Sequence, residues 1–529
     1  MKQKKKLAMG LALILAIVAN AGVWGEKTVH KSVLTIGISN EPNTYHPYNA
    51  TSTWGDTVFD FIYDRLVYTN FDGSFSPRLA SSWKQSKDGK VITFYLNPKA
   101  KWHDGVPFTA QDMVFAAQVG SAADSTVTRR SYFSALEGTN DNGVCDDISK
   151  LGVIAVDEHT LEYHFKNPIA VSTFLSIDAQ RYYPIPYHVL KDVPMSGLQK
   201  NNYWQHPIGT GPFKFDSMVS GESITVLANR DYFLGSPNVD RIVFKVTSPI
   251  NFSSALISGG LDCVLSNVPL GDIELLQATP GIVAQTTPSM KYTYMTINCE
   301  KGYFKDVRVR QAFSMAIDRT AIIRQGLYGK GILAVSSLNP SNPYFNKAIA
   351  GDPYNPEGAK KLLRDAGWDF NREIVFISYT GNQAREAATL IIQQNLAAIG
   401  VKVRIQLVDW PTLIVMAREG KSDLSILGGA GSLDPDDSRV LMQPGGAQNF
   451  CRLMDSRYYE LARKGHDAVS SKEKMEIYRE YQQLLHDEPV YIWLYHDDAS
   501  PAYRDFISNI PTKDFVHLNY NAYTWTFSK

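Results

Sequence analysis

Between residues 373 and 408 the chain writes a strand, a helix and a second strand in quick succession, and this unit constrains the fold more than any other stretch. Residues 373–378 (EIVFIS) form a β-rich run. A helix follows from about Arg385, carrying Leu390, Ile391 and Leu396, and Gly400 ends it. Val401, Val403, Ile405 and Leu407 then alternate with Lys402, Arg404 and Gln406, the period of a half-buried strand. Two strands joined through one helix pair in parallel by a right-handed crossover. Ligands bind beyond the carboxyl ends of such strands. Here that means the chain after Val408, which is Asp409-Trp410-Pro411 and the glycine-rich stretch beyond.

The rest of the chain is mixed in the same way. Residues 33–39 (VLTIGIS), 91–96 (VITFYL) and 160–165 read as strands. Residues 110–118 read as a helix, with Thr109 as N-cap and Asp112 in the first turn. Asn355-Pro356 opens another helix, whose apolar face is Ala359, Leu362, Leu363 and Ala366 and which stops at Gly367. The fold class is α/β. At 529 residues the chain exceeds one hydrophobic core, since cores stop growing at roughly 250–300 residues, so two or more lobes are expected. With 44% hydrophobic and 20% charged residues it is neither disordered nor collagenous nor polytopic. Lys+Arg and Asp+Glu are both 53, so no basic surplus speaks for nucleic acid.

The first residues read as an address. Lys2, Lys4, Lys5 and Lys6 precede an apolar run over 7–18, and Ala19-Asn20-Ala21 offers a small-x-small cleavage site. Cleavage after Ala21 leaves 529 − 21 = 508 residues with a net charge of 49 − 53 = −4. No cysteine follows the apolar run to accept a lipid. The expectation is a protein free in an exported compartment, most simply a periplasm. Cys145, Cys263, Cys299 and Cys451 are permitted disulfides there, and their pairing is open.

Catalytic constellations are missing. There is no GxSxG elbow, no HExxH helix, and Gly326-Leu327-Tyr328-Gly329-Lys330 lacks the remainder of a phosphate loop. Gly209-Thr210-Gly211 lacks the third glycine of a dinucleotide turn. His103 in Trp102-His103-Asp104-Gly105 reads as structural, because neighbouring side chains rarely aim at one substrate atom and Asp-Gly signals a turn. Asp434-Pro435-Asp436-Asp437 reads as a turn with solvated acids. No metal and no cofactor are expected.

Several segments, in order, resemble the extracytoplasmic solute-binding proteins of ABC importers, in the peptide- and nickel-binding family. They are Leu79-Ala80-Ser81-Ser82-Trp83, Lys87-Asp88-Gly89-Lys90, Thr93-Phe94-Tyr95-Leu96 and the run from Lys101 to Asp112 (KWHDGVPFTAQD). Gly209-Thr210-Gly211-Pro212-Phe213, Asn229-Arg230-Asp231-Tyr232-Phe233, the run from Phe304 to Ala312 (FKDVRVRQA) and Ala316-Ile317-Asp318-Arg319 continue the likeness. The resemblance implies a two-lobed periplasmic-binding-protein fold of type II, in its large three-domain variant, with a hinge and an interlobe cleft. It implies a first domain from 22–70, 203–288 and 495–529, a second from 71–202 inserted into it, and a third from 289–494.

In peptide-binding relatives an aspartate four residues before the proline of the loop matching Asp434-Pro435 holds the ligand's α-ammonium. Counting back from Pro435 gives Gly431, so the resemblance breaks where it matters most. The small stretch Gly428, Gly429, Ala430 and Gly431 widens the cleft and lets backbone approach a ligand. Either Asp434 or Asp436 substitutes for the missing acid from a shifted loop, or the ligand has no free amino terminus there. The resemblance adds Trp410, Trp493 and Tyr495 as aromatic cleft candidates and Glu41, Asn43, Tyr45 and His46 as chain passing along the cleft. Arg129 and Arg130 are candidates for carboxylates, as in chelate-binding relatives, and Asn449 for a polar contact.

The reading is a non-enzymatic binding protein, monomeric by family expectation, that captures a peptide or peptide-like molecule and delivers it to permease subunits at the inner membrane. The alternative keeps the fold and changes the cargo to a metal chelate, haem, an oligosaccharide or an opine-type conjugate. A remote alternative is an exported hydrolase.

Overall fold

The computed structural model describes residues 33–527 except 50–52, 71, 381, 447 and 512–518. The expected export signal, residues 1–21, lies outside the described residues. The chain opens with β1 (Val33–Ile38), then a hairpin of β2 (Val67–Thr69) and β3 (Phe75–Pro77). β4 (Ala80–Gln85), β5 (Val91–Leu96), β6 (Val153–Asp157) and β7 (Thr160–His164) form an antiparallel sheet in the order β4-β5-β7-β6. β8 (Phe213–Val219), β9 (Ser223–Ala228), β10 (Arg241–Val246), β11 (Cys263–Val264) and β12 (Ile282–Ala284) return to the sheet that β1 began. β13 (Thr287–Ile297), β14 (Ile332–Leu333), β15 (Glu373–Tyr379), β16 (Lys402–Val408), β17 (Leu424–Ala430) and β18 (Tyr491–Ala499) build a third sheet in the order β14-β18-β13-β17-β15-β16. β19 (Ala502–Arg504) closes the first sheet between β12 and β11.

The chain therefore passes between the first and third sheets twice, at 285–286 and at 500–501. The two passages lie side by side, because Thr287 and Pro288 pair with Ala499 and Asp498. The third sheet runs on to Ala499, 499 − 494 = 5 residues past the boundary expected from resemblance.

Local sequence explains the third sheet. Glu373–Tyr379 pairs in parallel with Lys402–Val408 over seven residue pairs, as the strand–helix–strand pattern requires. The helix between them is Gln383–Ala398, capped by Asn382, whose side chain accepts the Arg385 backbone N–H at 3.0 Å. Its buried face is Ala388, Thr389, Ile391, Ile392 and Leu396. Leu390 corrects the expectation, being 54% exposed, because it falls outside the i, i+3, i+4 stripe through those residues. Leu407 is likewise 53% exposed, at the open end of an edge strand. Gly400, at φ +93°, takes the left-handed conformation that ends the helix.

The remaining helices follow their signals. Ala110–Ser121 starts where Thr109 donates its N–H to the Asp112 carboxylate at 2.9 Å, and Pro356–Asp365 where Asn355 accepts the Gly358 N–H at 2.8 Å. His103 is a brace. Its Nδ1 accepts the Gly209 N–H at 2.9 Å, its Nε2 meets the Gly211 carbonyl at 3.1 Å, and burial pushes its pKa down to about 3. The four cysteines are free thiols and all buried.

The acidic turn departs from expectation. Residues Pro435–Leu441 form a short 3-10 helix capped by Asp434, and Asp434 and Asp436 are 2% and 6% exposed. Lys474 lies 2.5 Å from Asp434, and Arg439 and His466 lie 2.9 and 3.0 Å from Asp436. These acids are neutralised inside the protein, not solvated. Lys474 also donates to the Thr173 hydroxyl. Thr173 sits in the helix Val171–Ser176, which packs on the four-stranded sheet, so this contact joins the two halves of the molecule.

Candidate functional site

The carboxyl ends of β15, β16 and β17 meet the hinge end of β13 and β18. Tyr379 ends β15, Trp410 follows β16, Gly428, Gly429 and Ala430 end β17, and Gly431 follows it. Lys291 and Thr293 face them on β13, where Lys291 pairs with Ala430 and Thr293 with Gly428. Tyr495 and Asp497 complete the wall on β18.

Arg385 organises this wall. It occupies the first turn of Gln383–Ala398, where the aligned peptide dipoles already place positive charge, a position that disfavours arginine. Its Nη1 donates to the Tyr379 hydroxyl at 2.8 Å and its Nε to Thr293 Oγ1 at 3.3 Å. The guanidinium lies directly over Gly428, where any Cβ would overlap it. Thr293 in turn donates to Asp497 Oδ2 at 3.1 Å. Lys291, half-buried, reaches Asn267 Oδ1 at 3.4 Å on the opposite lobe. Burial drives the Lys291 pKa down and that of Asp497 up, and their mutual attraction opposes both shifts. The Trp410 ring, 40% exposed, meets Tyr379 edge-on at 5.0 Å. A helix N-terminus, a fixed guanidinium and a nearby ammonium thus gather positive charge at this corner, with the Asp497 carboxylate beside them.

The glycines act separately. A Cβ at Gly429 would lie 2.5 Å from the Tyr292 ring, so that glycine serves packing. Gly431 donates its N–H to the Met290 carbonyl at 2.9 Å, and a Cβ there would meet its neighbours at 3.5 and 3.6 Å, ordinary contact. Ala430 joins them in β17. Asp434 caps the following turn and is paired with Lys474.

Trp493 and Tyr495 are two apart on one strand and still face opposite ways. The β13–β18 register shifts between Thr293 and Tyr294, so Thr293 pairs with Tyr495 and Tyr294 with Trp493. Such a bulge re-aims the side chains that follow it. Tyr495 lies near Arg385 and Asp497, while Trp493 packs with Tyr292, Tyr294 and Tyr491. Trp493 also lines a cavity with Arg319 and Asp352, and Arg319 there is occupied by Ser314 and the Trp493 carbonyl.

The candidates of the other lobe are mostly engaged in holding the chain. Glu41 accepts the Ser220 hydroxyl and the Gly221 N–H at 2.9 and 2.8 Å, bracing the β8–β9 turn. Asn43 is exposed and reaches the Asn49 carbonyl. Tyr45 is buried in the core of the first sheet. His46 stacks on Trp204 at 4.2 Å and accepts the Tyr48 N–H at 3.2 Å, and burial lowers its pKa to about 3. Arg129 donates to the Pro47 carbonyl, and Arg130 to the Ala122 and Ser125 carbonyls. Asn449 lies apart from the wall, tying its own loop through the Gln443 and Leu453 carbonyls.

Sequence reading passed over Arg385, Thr293, Lys291 and Asp497. Arg385 carried a signal: an arginine three residues after an asparagine cap, at the carboxyl end of a parallel strand. The other three became legible only through strand register.

Among the described residues no cluster of three or more metal-ligating side chains occurs, and no helix is long and apolar enough to cross a membrane. The oligopeptide-binding protein AppA of Bacillus subtilis (strain 168) is 27% identical over 566 aligned positions, covering 100% of both chains. The dipeptide-binding protein of Escherichia coli (strain K12) is 26% identical over 525 positions and 95% of each chain. The ABC transporter substrate-binding protein CtaP of Listeria monocytogenes superposes with a TM-score of 0.84 at 24% identity, covering 94% of this chain and 100% of that one. Residues 74–450 match the family described as bacterial extracellular solute-binding proteins, family 5 Middle. With the sheets and the paired passages in place, the chain belongs to the family 5 bacterial extracellular solute-binding proteins.

Proposed function

We propose that this protein is the extracytoplasmic receptor of an ABC importer and that it closes its lobes over a short peptide bearing a free carboxylate. The observation that carries the reading is Arg385, held at a helix N-terminus by Tyr379 and Thr293 over a glycine that leaves it room. Trp410 offers a flat apolar surface beside it, suited to a peptide side chain or backbone. Relatives that bind oligopeptides and dipeptides over essentially the whole chain support the cargo class. Closure needs no chemistry. Ligand bridging the lobes shifts the population toward the closed form, and the permease reads that form. The molecule works as a monomer in this scheme.

A second reading, a small polycarboxylate such as an amino-acid metal chelate or an opine-type conjugate, is favoured by one observation. Position 431 carries no acid, and Asp434 is neutralised by Lys474.

Native mass spectrometry of the purified mature protein, before and after denaturation, separates the two. A released mass that fragments as a peptide supports the first reading. A released chelate or conjugate, with no peptide retained on later incubation, overturns it.

A further inference from the structure

The corner around Arg385 receives the anionic end of a ligand, and position 431 has nothing for a cationic end. An acid stands nearby on another strand. Asp497 lies on β18, close before the passage to β19, and its Oδ2 accepts the Thr293 hydroxyl whose oxygen also accepts from Arg385. Asp497 and Arg385 are thus separated by one shared hydroxyl, the spacing of two hydrogen-bond legs. Asp498 follows, half-buried, and its Oδ1 has no hydrogen-bond partner among the described residues. Lys291 and Arg385 both lie within electrostatic reach of Asp497, so the wall carries charges of both signs. Burial holds the Asp497 carboxyl above the usual range although Arg385, Lys291 and Thr293 all pull it down. A desolvated carboxylate in that position gains most from one more N–H donor bearing positive charge.

We infer that Asp497 is an ammonium subsite, so that a ligand's free amine is read on β18 while its carboxylate is read by Arg385. The substrate class is then a short zwitterion, with both ends recognised from one wall of the cleft and the loop at Gly431 taking no part in charge recognition. This rests on the peptide reading above. It differs from that reading in fixing which strand reads the amine and in limiting the distance between the charged ends.

The test uses a synthetic tripeptide library lacking lysine, arginine and histidine, prepared with free ends, with acetylated amines and with amidated carboxyls. The protein is stripped by unfolding and refolding, incubated with each form, and passed through rapid gel filtration, and retained peptide is quantified by mass spectrometry. The wild type is expected to retain the free form at least tenfold better than the acetylated form. D497N is expected to bring the two within twofold while still discriminating against the amide. R385Q is expected to do the reverse. D497E, which keeps the charge, should retain a preference for the free amine. Should D497N not refold, the wild-type comparison and D497E still decide the matter. Equal retention of free and acetylated peptides by the wild type overturns the ammonium subsite and leaves the peptide reading standing. Retention of none of the three forms overturns the peptide reading and this inference with it.

Discussion

Two glycines three residues apart make opposite predictions. A methyl group at 428 would occupy the space of the Arg385 guanidinium. G428A should therefore displace that arginine and weaken binding of carboxylate-bearing peptides by about tenfold or more, on the order of one lost charge-assisted hydrogen bond. At 431 the same methyl meets only ordinary contacts, so G431A should bind those peptides as the wild type does. Isothermal titration of both variants checks the pair, and equal affinities would remove Arg385 from the site. Much of this corner was legible in the sequence. The carboxyl ends of the parallel strands and Trp410 followed from periodicity, and the unusual glycines from resemblance. Asp497 and Lys291 were not, because a charged residue on a buried strand acquires meaning only from the neighbour that register puts opposite it. Nor was the fate of Asp434, whose partner Lys474 lies forty positions away.

Elements were easier to read than their faces. The strand–helix–strand unit stands where the pattern put it, yet one irregularity between β13 and β18 sends Trp493 and Tyr495 to opposite sides, and no spacing rule marks a bulge. The acidic turn after β17 was misread for a related reason: carboxylates crowded into one turn look solvated unless the helix Ser471–Asp487 is known to lay Lys474 against Asp434. That buried pair has a measurable signature. K474M leaves Asp434 charged and unpaired, which costs about 3–5 kcal/mol. K474M/D434N removes both charges and should recover most of the loss. Urea unfolding of wild type, both single variants and the double variant measures the coupling. A cost below about 1 kcal/mol for K474M would show that the pair is solvated after all.

At the scale of the whole molecule, His103 offers a pH prediction with a definite sign. Its folded pKa is pushed down to about 3 by burial between the Gly209 and Gly211 backbone groups, whereas the unfolded chain takes up the proton near pH 6.5. Below that value the unfolded state binds one more proton at this position, so stability falls by about 1.4 kcal/mol per pH unit until the folded group titrates. H103Q removes the term. The stability gap between wild type and H103Q should shift by about 1 kcal/mol, to the variant's advantage, between pH 6.5 and 5.5, where the unfolded group is still only partly protonated. Denaturant unfolding at the two pH values measures it, and a constant gap would mean that His103 is not desolvated. A last consequence concerns the paired passages at 285–286 and 500–501. Two ribbons bonded edge to edge bend readily across their width and resist torsion, like a strap hinge on a gate. Asp497 lies two residues before the end of β18, close to that strap. In the binding mode proposed above, cargo seated at Asp497 would press near the pivot instead of the rim, so a ligand slightly too long would hold the gate ajar by an angle that grows with every added atom.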